Sequence, residues 1–350
     1  MEMWRRFKRH KVGMVGLVSF SIVLFCVAFA EFVAPYGANE ISSFNNVPPQ
    51  RLRFKDENGT WHWRPFVYGL DRKFDLSTGR MDWIVDTSRK HPVSFFVEGA
   101  DYTICGIKSN IHLFGVEEGR IFICGTDSIG QDVLSRLLYG GRLSLAIAAA
   151  TTFVSLGLGT VAGLVSGYFG GWPDMVIQRI VELFIIIPDV PLGLALAAFL
   201  PPDLSPVLLM SGIALVLAVV SWGNVARQIR GKTLALRHSD YIRAAICIGA
   251  TTPRVLFRHI LPSLYSHLIV LATLTLPQVI LAESSLSFLG FGVRPPMSSW
   301  GSLLKDAQNF RVIALYPWEM LPGIAIMITV LSLNFVGDAL RDAFDPYSTN

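Results

Sequence analysis

Six long apolar runs constrain this chain more than any other feature, because each is long enough to cross a lipid bilayer. A membrane-spanning helix needs about 20 mainly apolar residues, and 52% of the chain is hydrophobic while only 16% is charged. We therefore predict an all-α membrane protein with six transmembrane helices rather than a soluble fold. The predicted spans cover approximately residues 12–34, 143–167, 175–200, 206–225, 263–288 and 321–336.

The basic residues cluster where the apolar runs end, which indicates membrane orientation rather than binding of nucleic acid. One cluster precedes the first span, and a second lies between the fourth and fifth spans. By the positive-inside rule, both clusters and both termini are predicted to be cytoplasmic, with residues 35–141 outside. The clusters comprise Arg5, Arg6, Lys8, Arg9 and Lys11, and then Arg227, Arg230, Lys232, Arg237, Arg243, Arg254 and Arg258.

The predicted outer segment, residues 35–141, is too long for a simple loop. It separates the cytoplasmic N-terminus and first helix, residues 1–34, from a five-helix core at 142–350. Short alternating apolar runs broken by Gly and Asn predict strands and turns, and hence a small folded subdomain. Its aromatic stretch GTWHWRPFVYG is either a binding surface, or internal packing and contact with the membrane interface. Cys105 and Cys124 both fall in this segment, where a disulfide is compatible with the compartment but not required by the spacing.

Two sets of residues inside the predicted spans favour tight packing or a polar path. Gly159, Gly163 and Gly167 recur every four residues and allow another helix to approach closely, in a bundle or at a dimer interface. The acidic residues are predicted to face a cavity or a partner, because a carboxylate at mid-bilayer costs about 2.5 to 3.5 kcal/mol. All are candidates for lining a translocation path; for Glu182, the alternatives are binding of a substrate amine and a structural bond, such as a pair with Arg179. These acids are Glu182, Asp189 and Glu283.

The stretch RAAICIGATTPRVLFRHILP, residues 243–262, interrupts two apolar runs with a structured, basic segment. Ser239 or Asp240 is suited to cap a short helix over 240–248, and Gly249 to end it. Thr252-Pro253 then opens a second helix, and Leu261-Pro262 marks entry into the fifth span.

This pattern predicts a cytoplasmic helix-turn-helix. If the small residues Ala244 and Ala245 face outward, the first helix is suited to dock into a cleft of a partner protein. The alternative is an ordinary amphipathic helix lying on lipid, which explains the arginines but not the Ala-Ala-to-Gly spacing.

The same stretch resembles the cytoplasmic coupling loop of ABC importer permeases, with the motif E-A-A, three residues, Gly, nine residues, I-x-L-P. Arg243 stands in place of the Glu and His259 in place of the Ile, and both replacements are usual in the dipeptide and oligopeptide branch. The resemblance places an ATPase-coupling loop at about 226–262. Its candidate residues are Asp240, Arg243, Ala244, Ala245, Gly249, His259, Leu261 and Pro262.

Four further stretches resemble the same branch, so that only about 44–90, an apparent enlargement of the outer segment, lies outside the resemblance. In the first of them, Gln131 replaces the usual Arg. The stretches are CGTDSIGQDVLSRLLYGGRLSL, LAESSLSFLGFGVRPPMSSWG, LPGIAIMITVLSLNFVGDALRDAFDP and, more loosely, RRFKRHKVGMVGLV.

The resemblance implies an inner-membrane, multi-pass permease subunit of a bacterial or archaeal importer for peptides. It implies four partners besides the lipid bilayer: a second homologous permease, two ATP-binding subunits and an extracytoplasmic substrate-binding protein. ATP and Mg²⁺ are expected in the ATPase subunits and no cofactor in this chain. Gly231-Lys232-Thr233 lacks the earlier Gly of a phosphate-binding loop, since Ala226 occupies that position.

We expect no catalysis and no metal site in this chain, because its residues form no nucleophile-and-base constellation and no metal-ligand spacing. Three alternatives remain at this stage. The same machinery would serve for nickel chelates or oligosaccharides. A channel or ion-coupled transporter would work without ATP, but would be expected to carry paired acids at mid-membrane. A membrane-anchored binding protein built around the outer segment would not need the cytoplasmic helix-turn-helix.

Overall fold

The computed structural model describes residues 2–75, 80–104, 106–201 and 203–344, and it is mostly helical. A four-stranded sheet lies in the predicted outer segment, so the predicted class of all-α is too narrow. The helices are α1 Glu2–Arg9, α2 Lys11–Ala28, α3 Ala30–Val33, α4 Val133–Phe169, α5 Gly171–Ile186, α6 Asp189–Ala197, α7 Pro206–Leu236, α8 Asp240–Cys247, α9 Thr252–Arg254, α10 Leu261–Phe288, α11 Trp300–Leu303, α12 Phe310–Leu315 and α13 Leu321–Phe344.

Within the described ranges, five helical segments are long and apolar enough to cross a membrane. They are Lys11–Ala28, Val133–Phe169, Pro206–Leu236, Thr252–Phe288 and Pro317–Phe344. Several continue beyond the predicted bounds, because hydropathy marks only the lipid-facing part of a helix whose polar ends remain helical.

The third predicted span, 175–200, is not one continuous helix. Helices α5 and α6 pass the same length and composition test together, but they are bent by 94° at a short break. Ile187 at the break is extended, with φ −79° and ψ 127°, and Pro188 follows it. Proline disfavours the helical conformation of the preceding residue, which explains the position of the break.

The chain divides into two compact units. The first comprises Met1–Ile22, Ser144–Arg294 and Ile326–Asn350 and holds most of the long helices. The second comprises Val23–Leu143 and Pro295–Ala325 and holds the sheet. Its strands are antiparallel in the order β1-β2-β3-β4, with bounds Arg53–Lys55, Trp61–Asp75, Arg80–Ile104 and Ile107–Val116.

The aromatic stretch of β2 divides between core and surface. Phe66, Val67 and Tyr68 are buried, and Val67 joins a small apolar cluster of this unit. Trp61 and Trp63 lie two residues apart, on one face of the strand, and are 66% and 94% exposed. The stretch therefore both fills a core and presents aromatic rings to the surroundings.

Candidate functional site: a short helix between two spans

Helix α8, Asp240–Cys247, stands between the two long helices α7 and α10 and ends in a well-formed cap. Gly249 has φ +86°, a left-handed conformation that glycine adopts without steric cost. Its N–H bonds to the Ile246 carbonyl at 2.9 Å, and the N–H of Ala250 bonds to the Ala245 carbonyl at 3.0 Å. This pair of bonds is the Schellman arrangement, which fixes where the helix ends and the turn begins.

The start of α8 differs in detail from the predicted cap. Ser239 is the capping residue by position, but its side chain makes no capping bond. Its Oγ donates instead to the Leu236 carbonyl at 2.6 Å, at the end of α7. Asp240 lies exposed in the first turn, where a negative charge interacts favourably with the helix dipole.

The second arm of the predicted helix-turn-helix is continuous with the fifth span rather than separate from it. It begins at Thr252, as predicted, and passes through a π-helical turn, Val255–Ile260, into α10. The N–H of Leu261 bonds to the Leu256 carbonyl, five residues back. The wide turn thus ends immediately before Pro262, which has no N–H to donate.

Two residues anchor α8 to the helical unit. Ile242 is fully buried and Ala245 is 6% exposed. Ile242 belongs to an apolar cluster that joins residues of α4, α7, the π-helical turn and α10. The hydroxyls of Tyr241 and Ser263 add a hydrogen bond of 3.2 Å between α8 and α10. The prediction that both alanines face outward is therefore wrong for Ala245, which packs inward, while Ala244 is exposed.

Large apolar side chains are exposed on α8 and just after its end, next to charged and small ones. Tyr241, Ile246 and Ile248 are 45%, 47% and 87% exposed. Arg243 is also exposed. Two other candidate residues, His259 and Leu261, are half-buried at the junction with α10, and the His259 carbonyl accepts from Ser263 Oγ at 3.0 Å. The exposed side chains are large enough to form a contact surface.

The three glycines of α4 lie against α7 at matching intervals. A Cβ placed on Gly159, Gly163 or Gly167 would lie 2.6, 2.7 or 2.7 Å from the nearest side-chain atom of α7. The α7 residues that they face are Val225, Ile229 and Thr233. The repeat of four residues on α4 thus meets a repeat of four on α7, and the glycines serve packing within this chain.

An ion pair that sequence reasoning missed joins α5 to α7. Asp174 accepts two hydrogen bonds of 2.6 Å from Nε and Nη2 of Arg230. The Ser166 hydroxyl of α4 also donates to Asp174, so three helices meet at one carboxylate. In the sequence alone, Arg230 indicates only membrane orientation. An acidic residue in the first turn of α5 was the available clue.

The three intramembrane acids have different environments. Glu182 pairs with Arg179 at 2.7 Å, and these side chains are 52% and 77% exposed. Asp189 begins α6 at the bend and is exposed. Glu283 is fully buried, and its carboxylate accepts from Ser144 Oγ at 3.0 Å and Ser287 Oγ at 2.7 Å. Glu182 and Asp189 therefore face outward from this chain, whereas Glu283 is held in its interior.

The stretch 124–145 leads into the first turns of α4, and its residues up to Leu143 belong to the sheet-containing unit. Asp132 precedes the helix, and its Oδ2 accepts from the backbone N–H and the hydroxyl of Ser135 at 2.8 and 2.6 Å. Burial raises the pKa of this carboxyl to about 6. Asp127 pairs with Arg136, whose guanidinium also donates to Ser298 Oγ at 3.2 Å. Cys105 lies outside the described residues, and Cys124 is a free thiol, so the structure does not support the disulfide that the sequence allows.

The fold and these sites define a multi-pass helical membrane protein. Residues 159–348 match the family described as binding-protein-dependent transport system inner membrane component. Residues 1–49 match the N-terminal transmembrane domain of oligopeptide transport permease C. The chain belongs to this family of inner-membrane transport permeases, and it is a transport subunit rather than an enzyme.

Three relatives illustrate the similarity. A putative peptide permease protein of Brucella suis is 41% identical over 226 residues, 63% of this chain and 72% of that protein. The dipeptide transport system permease protein DppC of Alkalihalophilus pseudofirmus is 40% identical over 223 residues, 63% of this chain and 71% of that protein. The glutathione transport system permease protein GsiD of Escherichia coli is 31% identical over 345 residues, 99% of this chain and 89% of that protein.

Proposed function

We propose that the chain is the transmembrane subunit of an ATP-driven importer for peptides, of the dipeptide and oligopeptide type. The observation that carries the proposal is α8: it is anchored inward by Ile242 and Ala245 and exposes large apolar side chains outward. Such a helix is suited to dock on a partner subunit. The relatives, which include permeases named for peptide, dipeptide and glutathione transport, support a peptide-type cargo.

The proposal includes the assembly and the orientation. The partners are a second homologous permease, two ATP-binding subunits that hold ATP and Mg²⁺, and an extracytoplasmic binding protein. The bent pair α5 and α6 counts as one span, which gives six spans and puts both termini and α8 in the cytoplasm. The sheet-containing segment 35–141 is then an enlarged extracytoplasmic subdomain.

In the proposed mechanism, α8 acts as a lever. When ATP closes the ATPase pair, the docked helix moves, and the cluster around Ile242 transmits that movement to α7 and α10. Coupling of this kind requires two discrete states of the permease with different contacts in each. The Schellman cap at Gly249 keeps the helix and the turn from moving independently.

In the proposed mechanism, the two outward-facing acids line the translocation pathway. Arg179 and Glu182 form an exposed pair in the middle of α5, where contact with lipid would be costly. We place this face of α5 against a water-filled pathway together with Asp189. Glu283, by contrast, holds α10 to α4 through Ser144, and Ser287 of the same helix donates to its other oxygen.

A single outer-face substitution tests the coupling assignment. Ile248→Asp puts a charge on the highly exposed apolar residue that follows α8 without touching the buried anchors of the helix, whereas Ala245→Glu would disrupt packing as well. We expect the variant to insert normally and to lose most ATP-dependent peptide uptake and co-purification of the ATPase. Ile107→Asp is the matched control, because Ile107 is 73% exposed on β4.

Uptake measurements on the purified complex distinguish the competing functions. Wild-type complex in liposomes should accumulate labelled dipeptide only with ATP and binding protein. Uptake without ATP would favour a channel or ion-coupled transporter. ATP-dependent uptake of a nickel chelate or oligosaccharide, but not of peptide, would retain the machinery and overturn the cargo. Normal peptide uptake by Ile248→Asp would overturn the role of α8.

A further inference from the structure

One aromatic residue of helix α1, Glu2–Arg9, packs against the last long helix. Phe7 is 4% exposed and packs in a cluster with Val336, Ala339 and Ala343 of α13. This contact fixes which side of α1 faces the protein. The opposite side is therefore presented in a defined orientation rather than at random.

The junction between α1 and the first span is also fixed. His10 is the single residue between the two helices, and its Nδ1 accepts from the Gly13 backbone N–H at 3.0 Å. Its Nε2 lies 3.6 Å from a carboxylate oxygen of Asp342. Because α2 is long and apolar enough to cross a bilayer, α1 is held where that span leaves the hydrocarbon.

The free side of α1 combines an aromatic ring with positive charge. Trp4 is 52% exposed, stacks on Phe7 with ring centroids 5.7 Å apart, and has Lys8 Nζ 5.2 Å above its ring. Arg5 and Arg9 lie four residues apart and so share one side of the helix with Lys8. All three basic residues are exposed, and within the described ranges none of them pairs with a carboxylate.

We propose that this side of α1 is a binding site for the headgroup of an anionic phospholipid. Arg5, Lys8 and Arg9 provide the charge that a phosphate requires, and charge-assisted hydrogen bonds to phosphate are among the strong ones. Trp4 has the apolar body and polar edge that favour the headgroup level of a bilayer. Basic residues beside a span serve orientation in any membrane protein. The Trp4 ring, which stacks on the buried Phe7, holds a fixed position beside these charges and so defines a local site.

The lipid preference of the full chain provides the test. Purified protein in detergent is titrated with phosphatidylglycerol or with phosphatidylcholine of the same acyl chains, and bound lipid is counted by native mass spectrometry. We expect a clear preference for phosphatidylglycerol. In Arg5→Gln/Lys8→Gln/Arg9→Gln the affinity for that lipid should fall about fivefold per charge, or about a hundredfold, at low ionic strength.

Two further variants separate a local site from general charge. Arg51→Gln/Lys55→Gln/Arg64→Gln removes three exposed basic residues from the sheet-containing unit and should leave the preference unchanged. Arg5→Lys/Arg9→Lys changes two of the same positions but keeps their charge, and it should retain most of the binding. Retained binding would show that substitution at these positions does not by itself unfold the helix. An equal affinity for both lipids, or an unaffected glutamine variant of α1, would overturn the proposal. Displacement of the lipid by equimolar glycerol 3-phosphate would also overturn it, since the site would then take free phosphates.

Discussion

Gly163 of α4 lies directly against Ile229 of α7: a Cβ on the glycine would be 2.7 Å from the Cβ of the isoleucine. No side chain fits at that distance without moving one helix. The two helices are therefore as close as their backbones permit, and in a bilayer such close packing replaces the hydrophobic gain that holds soluble helices together.

This contact predicts that Gly163→Val destabilises the helical unit by about 1 to 3 kcal/mol, the usual cost of overpacking. The measurement is the thermal unfolding of purified protein in detergent. Gly157→Ala on the same helix is the control, because a Cβ there meets nothing within 4 Å. It should unfold at or slightly above the wild-type temperature. Equal melting of the two variants would show that the glycine face of α4 tolerates separation from α7.

The cap of α8 gives a second prediction. Gly249→Ala forces a side chain into a conformation with φ +86°, at a cost of about 1 to 2 kcal/mol. We expect a stable, inserted protein whose ATP-dependent uptake falls severalfold, because the end of α8 loses its fixed geometry. Gly231→Ala in α7 also has open space around it and lacks the positive φ. A similar loss in both variants would count against a specific role for the cap.

The ion pair between α5 and α7 can be measured directly. A double-mutant cycle of Asp174→Asn and Arg230→Gln should give a coupling energy of about 1 kcal/mol, since the pair is bidentate but partly exposed. When the cycle is repeated with lysine in place of Arg230, the coupling energy should be smaller, because an ammonium cannot make the two parallel bonds of a guanidinium. An equal coupling energy with lysine would mean that charge alone, and not the two-bond geometry, stabilises the contact between the helices.

Asp132 predicts a dependence of stability on pH. Its pKa is raised to about 6 in the native state from an ordinary value of 3.8, mainly by burial. Between these values the native state holds the proton more tightly than the unfolded state does, so stability falls as the pH rises through that window. The full cost, about 3 kcal/mol, is present above pH 6.

In Asp132→Asn the melting temperature should no longer change between pH 4 and pH 6 as it does in the wild type, because the amide oxygen can accept from Ser135 without ionising. Asp101→Asn, at an exposed position, is the control and should keep the wild-type slope. A slope that survives in Asp132→Asn would assign the pH dependence to another carboxyl.

Local chemistry made some of this structure predictable. The helix at 240–247 and its end at Gly249 follow from residues close together in sequence, and the long apolar runs require helices whatever they contact. The break after Ile187 had a visible cause in Pro188, but its angle depends on packing against other helices. The inward direction of Ala245 could not be predicted either, since it depends on the cluster around Ile242.

The residues that interact with distant partners were the least predictable. Nothing near Arg230 in sequence identifies Asp174, 56 positions away, as its partner. Glu182 and Glu283 look alike in sequence, yet one is exposed beside Arg179 and the other is enclosed by two serine hydroxyls. Burial is a property of the folded bundle, and hydropathy alone does not report it.

The unbroken run from Thr252 to Phe288 has a geometric consequence. At 1.5 Å per residue, its 37 residues extend over about 55 Å. If the run stays rigid at the π-helical turn and at Pro277, a tilt of about 5° at one end displaces the other end by roughly 5 Å. Length alone converts a small angle at the membrane surface into a displacement comparable to the width of an amino-acid side chain.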